Sequence, residues 1–237
     1  MPLATTRGSS TLPDRSLRSR QVARGQQVGS LIEKHDMRQA GAVDLDDVDD
    51  DLEELEFSLS GQARLDAVRA RADAMPVGEP GRAEYLTSLA EFLAMEDRLD
   101  DAEAAYREAL EDGGPTLLHP LGGLLSISLQ RADDTAVNEL NSRLWQLARA
   151  DQLSDSDYES VADVLEFHGR LREAMRWYTV PLRHLDPEED IDLIPVVASN
   201  GRERVRKALG LSPDRYDEAA PRVREFAKAR WDEREPD

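Results

Sequence analysis

The sequence predicts an all-α protein, and three observations carry that prediction. Apolar residues recur at helical spacing over most of residues 62–232. Gly and Pro stop signals separate one apolar period from the next, as at residues 76–81 and 113–115. No stretch alternates Val, Ile and aromatic residues in the way that a strand would. We therefore expect a series of helices joined by short turns.

The helices of the body are expected in a regular order. The first carries Leu65, Val68, Ala72 and Met75 and stops at Pro76. Further helices are expected over 82–95, 99–112, 117–130, 134–150, 155–168 and 171–184, with two more near 201–209 and 214–232. Pro181 should shorten or kink its helix, because proline lacks the backbone N–H that a helix interior uses.

Residues 1–43 are expected to form a disordered, basic N-terminal tail. Residues 1–30 are rich in Ser, Thr, Gly and Gln and have little to bury, so they cannot repay the entropy of ordering. Against Asp14 they carry five arginines: Arg7, Arg15, Arg18, Arg20 and Arg24. This composition superficially fits an organelle transit peptide. A plain tail, or a start codon placed too far upstream, is the favoured interpretation.

Residues 44–61 follow as an acidic linker or first helix. Their acids do not form an EF-hand, because counting from Asp44 puts Val48 at loop position 5 and Leu55 at position 12. Aspartates favour a helix N-terminus instead, where the dipole prefers negative charge. A weak apolar stripe accompanies them: Leu45, Val48, Leu52, Leu55 and Phe57. One hypothesis is that the basic tail folds back onto these acids.

An internal repeat relates two parts of the body at an offset of 72 residues. Aligning Ala102 with Ala174 also brings Tyr106 onto Tyr178 and Leu86 onto Tyr158. Such an offset holds two units of about 34 residues and a short insertion. The intervening unit fits less well, because Pro120, Gly122 and Gly123 come early in its first helix. An irregular helical bundle with Ala-rich packing is the alternative.

This pattern of large and small residues resembles the tetratricopeptide repeat, best over residues 83–116 and 155–188. The resemblance implies a TPR-like solenoid of antiparallel helix pairs over residues 62–200. Helices in 201–237 would then cap its last apolar face. In that segment Arg202, Arg204, Arg206 and Lys207 could touch RNA or an acidic partner. A solvated capping face is favoured, since Glu203 interrupts them and no aromatic residue is near.

Composition restricts the function further. The chain has 237 residues, a formal net charge of −19 and no cysteine, so disulfides and cysteine-ligated metals are excluded. No apolar run or signal peptide predicts membrane insertion or export, and a cytoplasmic protein is expected. Only three of the 30 basic residues are lysine. Such a bias is typical of a GC-rich bacterial genome or a halophile, so the acidity is weak evidence about partners.

No catalytic motif emerges from the sequence. The four histidines, His35, His119, His168 and His184, stand apart from one another, without metal-ligand spacing. Neither a nucleophile elbow nor a phosphate-binding Gly-rich loop follows a predicted strand. We therefore expect that the protein is not an enzyme and that it binds neither a cofactor nor a metal ion.

The repeat resemblance implies that the first helix of each pair lines a concave groove. The groove-facing residues in that register are Glu84, Thr87, Glu91, Met95, Glu159, Asp163, Glu166 and Phe167, with Ala94 and Ser156 beside them. Their acidic character predicts a basic or amphipathic peptide or protein partner. It also argues against acidic chaperone tails, which relatives in this family bind with Lys, Arg and Asn. Alternatively, these acids only keep the face soluble.

Two other functional classes remain at this stage. One is a regulatory adaptor that reaches transcription machinery or nucleic acid through the basic tail. The other is a structural protein that self-associates through an uncovered solenoid edge or through Trp145, Trp177 and Trp231. The sequence names neither the partner nor the oligomeric state.

Overall fold

The computed structural model describes residues 45–232, and within that range the chain forms helices and no strand. An all-α fold is therefore confirmed for this part of the chain. It contains α1 (Leu45–Ser58), α2 (Gly61–Asp73), α3 (Arg82–Met95), α4 (Leu99–Asp112), α5 (Pro120–Gln130), α6 (Asp134–Arg149), α7 (Asp155–Phe167), α8 (Leu171–Thr179), α9 (Val196–Ala208) and α10 (Arg215–Asp232), with a 3-10 turn at Val180–Leu182.

Most helix ends lie where the sequence signals predict them, because local chemistry sets them. The helix α4 ends at Gly113, which takes the left-handed conformation (φ 71°) that costs glycine least. Ser154 and Asp157 form a capping box at the start of α7, each satisfying a backbone N–H of the other. These ends could be predicted because each depends on residues within one turn of it.

Prolines account for three of the boundaries. As predicted, Pro181 ends its helix early, so α8 stops at Thr179 and the 3-10 turn follows. The helix α5 begins at Pro120 rather than 117, and the Nδ1 atom of His119 accepts the backbone N–H of Leu121 at 3.2 Å. The helix α9 begins at Val196, after Pro195, so the expectation that this helix begins near 201 is corrected.

The acidic run forms helix α1. Its residues Val48, Leu52 and Leu55 are buried in the core, whereas Phe57 is 96% exposed and does not belong to the apolar stripe. The carboxylate of Asp51 accepts hydrogen bonds from Arg71 and from the Tyr85 hydroxyl at 2.9 Å, which attaches α1 to α2 and α3. The predicted disorder of the tail and its return onto these acids concern residues outside the described range.

The helices pack mainly on their neighbours in sequence. Contacts join α2 to α3, α3 to α4, α4 to α5, α5 to α6, α7 to α8, α8 to α9, and α9 to α10. In addition, α3 contacts α5, α5 contacts α7, and α7 contacts α9. One apolar core runs from Val48 to Val205, and a smaller cluster around Leu182 and Val223 lies at the C-terminal end. The helices α3, α5 and α7 are therefore successive neighbours.

Two glycines each make room for a tyrosine of the preceding helix. A Cβ atom added to Gly123 on α5 would lie 2.0 Å from the Cζ atom of Tyr106 on α4. At Gly201 on α9, a Cβ atom would lie 2.4 Å from the ring of Tyr178 on α8. Both tyrosines are buried. From the sequence Gly123 was a departure from the repeat, but its missing side chain makes room for Tyr106.

The tryptophans do not form one surface. Trp177 is completely buried, stacks on Trp145 with ring centroids 4.1 Å apart, and donates its indole N–H to the Asn141 side chain at 2.9 Å. Trp231 is 61% exposed at the end of α10. The suggestion that Trp177 serves self-association is therefore corrected, because its ring belongs to the core.

A buried ion pair holds the start of α3 against α4. The guanidinium group of Arg82 donates to Asp112 and to Glu108, each at 2.8 Å, and Asp112 also accepts the backbone N–H of Gly78 at 2.9 Å. The Asp112 side chain is fully buried. Burial by itself raises the pKa of Asp112, but the bonds from Gly78 and Arg82 outweigh it and lower the pKa.

We expect Asp112→Asn to destabilise the protein by about 2 kcal/mol at pH 7, because a charged hydrogen bond is lost. A carboxylate whose pKa is lowered on folding stabilises the protein above its unfolded pKa of about 4, and this contribution is lost as the pH falls through the folded pKa. Urea unfolding at pH 7, 4 and 3 should show the difference from wild type shrinking in acid. Asp73→Asn, at a carboxylate 60% exposed, is the control. If the stability difference between wild type and Asp112→Asn did not change with pH, the lowered pKa of Asp112 would be contradicted.

Candidate partner-binding surface

The helices α3, α5 and α7 border a narrow crevice. Thr87 and Glu91 of α3, Gly122 of α5, and Asp157 and Ser160 of α7 are among the residues that line it. The crevice has a volume of about 30 Å³, which leaves room for water but is far below the few hundred Å³ of a small-molecule pocket. A ligand of this region would have to lie across the surface.

The four α3 residues of the predicted groove differ in exposure. Glu84 is 1% exposed, and its Oε2 atom accepts the backbone N–H of Leu117 at 2.8 Å. Thr87 is buried as well, and its hydroxyl donates to the carbonyl oxygen of Ala83 at 2.8 Å. Glu91 is half-buried, and Met95, one turn further on, is 44% exposed. The expectation that Glu84 and Thr87 line an open groove is corrected.

The α7 residues of the predicted groove show the same division. Glu159 is 4% exposed, so the expectation that it lines an open groove is corrected too. Asp163 lies about one turn beyond Ser160 of the crevice and is half-buried. Phe167 is 50% exposed at the end of the helix, with its edge against the ring of His168. The role of all eight residues in partner binding stays a prediction.

We call the surface made by Glu91, Met95, Asp163 and Phe167 the acidic face. On each of the two helices it offers one carboxylate and, four residues later, one exposed apolar side chain. Residues four apart on a helix are neighbours on the same side. The acidic face therefore combines negative charge with apolar area in the same order on α3 and on α7.

Tyr178 and Arg204 hold the carboxylates at the end of α7. The Tyr178 hydroxyl is within hydrogen-bonding distance of Asp163 and, at 2.9 Å, of Glu166. Arg204 of α9 donates twice to Glu166, at 2.6 Å each. Burial, and then the two carboxylates, raise the pKa of Tyr178. Glu166 is thus paired with Arg204. The guanidinium group of Arg204 also lies 3.8 Å from the Asp163 carboxylate.

The sequence did not reveal this role of Arg204. Thirty-eight residues separate Arg204 from Glu166, and no local pattern connects them. Arg202 and Arg206, expected on a solvated capping face, also bond carboxylates within the chain: Arg202 contacts Asp214 and Asp217, and Arg206 contacts Asp217 at 2.7 Å. Three arginines of α9 therefore connect this helix with α7 and α10.

Within 45–232, no cluster of three or more His, Asp and Glu side chains could hold a metal ion. None of the helices in this range has the length and apolar character needed to cross a bilayer.

No protein-family model, curated protein or solved structure matches this chain. The resemblance to the tetratricopeptide repeat thus rests on the residue pattern alone.

Proposed function

We propose that this protein is a non-enzymatic scaffold that binds a basic or amphipathic segment of a partner protein on the acidic face. The observation that carries the proposal is the pairing of half-buried Glu91 and Asp163 with exposed Met95 and Phe167 on two helices that flank the same crevice. A bound segment would lie across α3, α5 and α7.

The packing of the helices supports a TPR-like arrangement for this scaffold. Each of α3, α5 and α7 contacts the first helix of the next pair, as in a stack of antiparallel helix pairs. The equivalent contacts of Tyr106 with Gly123 and of Tyr178 with Gly201 support the same arrangement. In such a stack the first helices share one side, which gives a long ligand several turns to contact.

The chemistry of the acidic face favours a ligand with cations and apolar side chains. An arginine or lysine interacts more strongly with a half-buried carboxylate than with a fully solvated one, because the effective dielectric constant is lower near the protein surface than in bulk water. The exposed side chains of Met95 and Phe167 offer apolar area, and methionine adapts its shape to different partners. This combination selects against an acidic peptide.

We expect the double variant Glu91→Lys/Asp163→Lys to lose at least tenfold in affinity for a basic amphipathic peptide, because both attractions become repulsions. The probe is a short fluorescein-labelled peptide of arginine, leucine and alanine. Fluorescence polarisation against the full-length chain measures the dissociation constant. Salt should weaken binding, because surface charges are screened.

The matched control is Glu111→Lys/Glu139→Lys, which changes the net charge equally at two exposed acids outside the acidic face. Binding should survive in this variant. Equal weakening in both variants would mean that the probe responds only to net charge, and the acidic face would then have no role. A third variant, Met95→Ser/Phe167→Ser, keeps every charge and should weaken binding through the lost apolar contact.

A further inference from the structure

The basic N-terminal segment has the composition that the proposed ligand requires. Residues 7–24 carry five arginines and one aspartate, with Leu12, Leu17 and Val22 interspersed among them. The same chain therefore contains both an acidic face with apolar side chains and a segment with cations and apolar side chains.

We propose that residues 7–24 occupy the acidic face in the free protein and compete with the partner segment. This inference rests on the proposed function, since it assigns an internal competitor to the same surface. The attraction is between the arginines of the segment and the carboxylates of Glu91 and Asp163. Leu12, Leu17 or Val22 would cover the exposed Met95 and Phe167 side chains.

The length of the chain permits this contact. Twenty residues separate Arg24 from Leu45, where α1 begins. A random coil of that length spans about 25 Å. The helix α1 contacts α3, and neighbouring helices lie about 8–10 Å apart, so α7 is roughly 20 Å beyond α3. The segment can thus reach both helices of the acidic face from the start of α1.

The exposed acids of α1 compete for the same segment. Asp47, Asp50 and Glu54 lie nearer to it in sequence, but they are solvent-exposed on a helix surface. Ion pairs at such positions contribute little, because water and salt screen them. Phe57 is the exposed apolar side chain of α1 and lies at its C-terminal end. The acidic face offers an exposed apolar side chain four residues after a carboxylate on each of two helices, so it better matches a segment that carries both arginines and apolar residues.

Paramagnetic relaxation in the full-length chain tests where the segment lies. The chain has no cysteine, so Ser19→Cys gives one attachment point for a nitroxide between two arginines. We expect the amide signals of Glu91, Met95, Asp163 and Phe167 to lose more than half of their intensity. The amide signal of Glu139 should keep its full intensity. High salt and Glu91→Lys/Asp163→Lys should restore the signals. Broadening confined to α1, or no broadening, would overturn the inference.

Probe binding separates this inference from the proposed function. In the full-length variant Arg15→Gln/Arg18→Gln/Arg20→Gln, the arginine–leucine–alanine peptide should bind at least fivefold more tightly than to wild type, because the apparent affinity falls with the occupied fraction of sites. If the peptide binds wild type and the triple variant equally, and Glu91→Lys/Asp163→Lys weakens both, the inference is overturned and the proposed function stands. Broadening at the acidic face with no probe binding to either chain would support the inference and overturn the partner-binding function.

Discussion

Replacing Gly201 with alanine is expected to lower the free energy of unfolding by about 2 kcal/mol. Alanine is the better helix former by up to about 1 kcal/mol, so a clash must outweigh that gain. The new methyl group would lie 2.4 Å from the Tyr178 ring, far inside van der Waals contact. That ring has little freedom to move, since it is completely buried and its hydroxyl is held by Asp163 and Glu166.

Urea unfolding followed by far-ultraviolet circular dichroism measures this effect, and Gly122→Ala is its matched control. A Cβ atom at Gly122 meets nothing closer than Val161 at 3.9 Å, so that variant should be as stable as wild type or up to about 1 kcal/mol more stable. In a Tyr178→Leu background, Gly201→Ala should cost less, because the two sites are coupled. Stabilisation by Gly201→Ala would show that the contact is looser than the structure has it.

Arg202→Met should cost about 2 kcal/mol, because it removes charged hydrogen bonds to Asp214, just before α10, and to Asp217, which then keeps only Arg206 as a charged partner. Arg202 is 6% exposed and donates to Asp214 at 2.6 Å and to Asp217 at 3.0 Å, which attaches α9 to α10. Methionine keeps the length of the side chain, so the lost charge accounts for most of the effect.

The same urea experiment on Arg224→Met provides the comparison. Arg224 also joins α10 to α9, through Glu203 at 2.6 Å, but both side chains are about 40% exposed. An exposed pair is worth at most about 1 kcal/mol, so this variant should lie near wild type. Similar losses for the two variants would refute the importance of burial at Arg202.

Acid should reveal the Arg202 contact as well. Burial raises the pKa of Asp214, but the hydrogen bond and the charge of Arg202 outweigh it, and the pKa is lowered. The stability that this carboxylate contributes is present at neutral pH and is lost as the pH falls through the lowered pKa. The difference between wild type and Arg202→Met should therefore shrink below about pH 4.

The different exposures of the eight predicted groove residues show what a repeat register can and cannot predict. The register put eight residues on one side of two helices, and Met95 and Phe167 are indeed exposed there. It did not reveal that the carboxylate of Glu84 accepts the N–H of Leu117 in the following loop, 33 residues away. Helical periodicity predicts the direction of a side chain, whereas the exposure of that side chain depends on what packs above it.

The sequence alone determined the helices and most of their ends, because propensity, caps, Gly and Pro act over a single turn. It also aligned Tyr106 with Tyr178 at an offset of 72 residues. Only the tertiary structure showed that Gly123 and Gly201 make room for tyrosine rings, and which carboxylates of α3 and α7 remain half-exposed. It also decided that Arg204 binds Glu166. These features join residues far apart in sequence, so they exist only once the helices have packed.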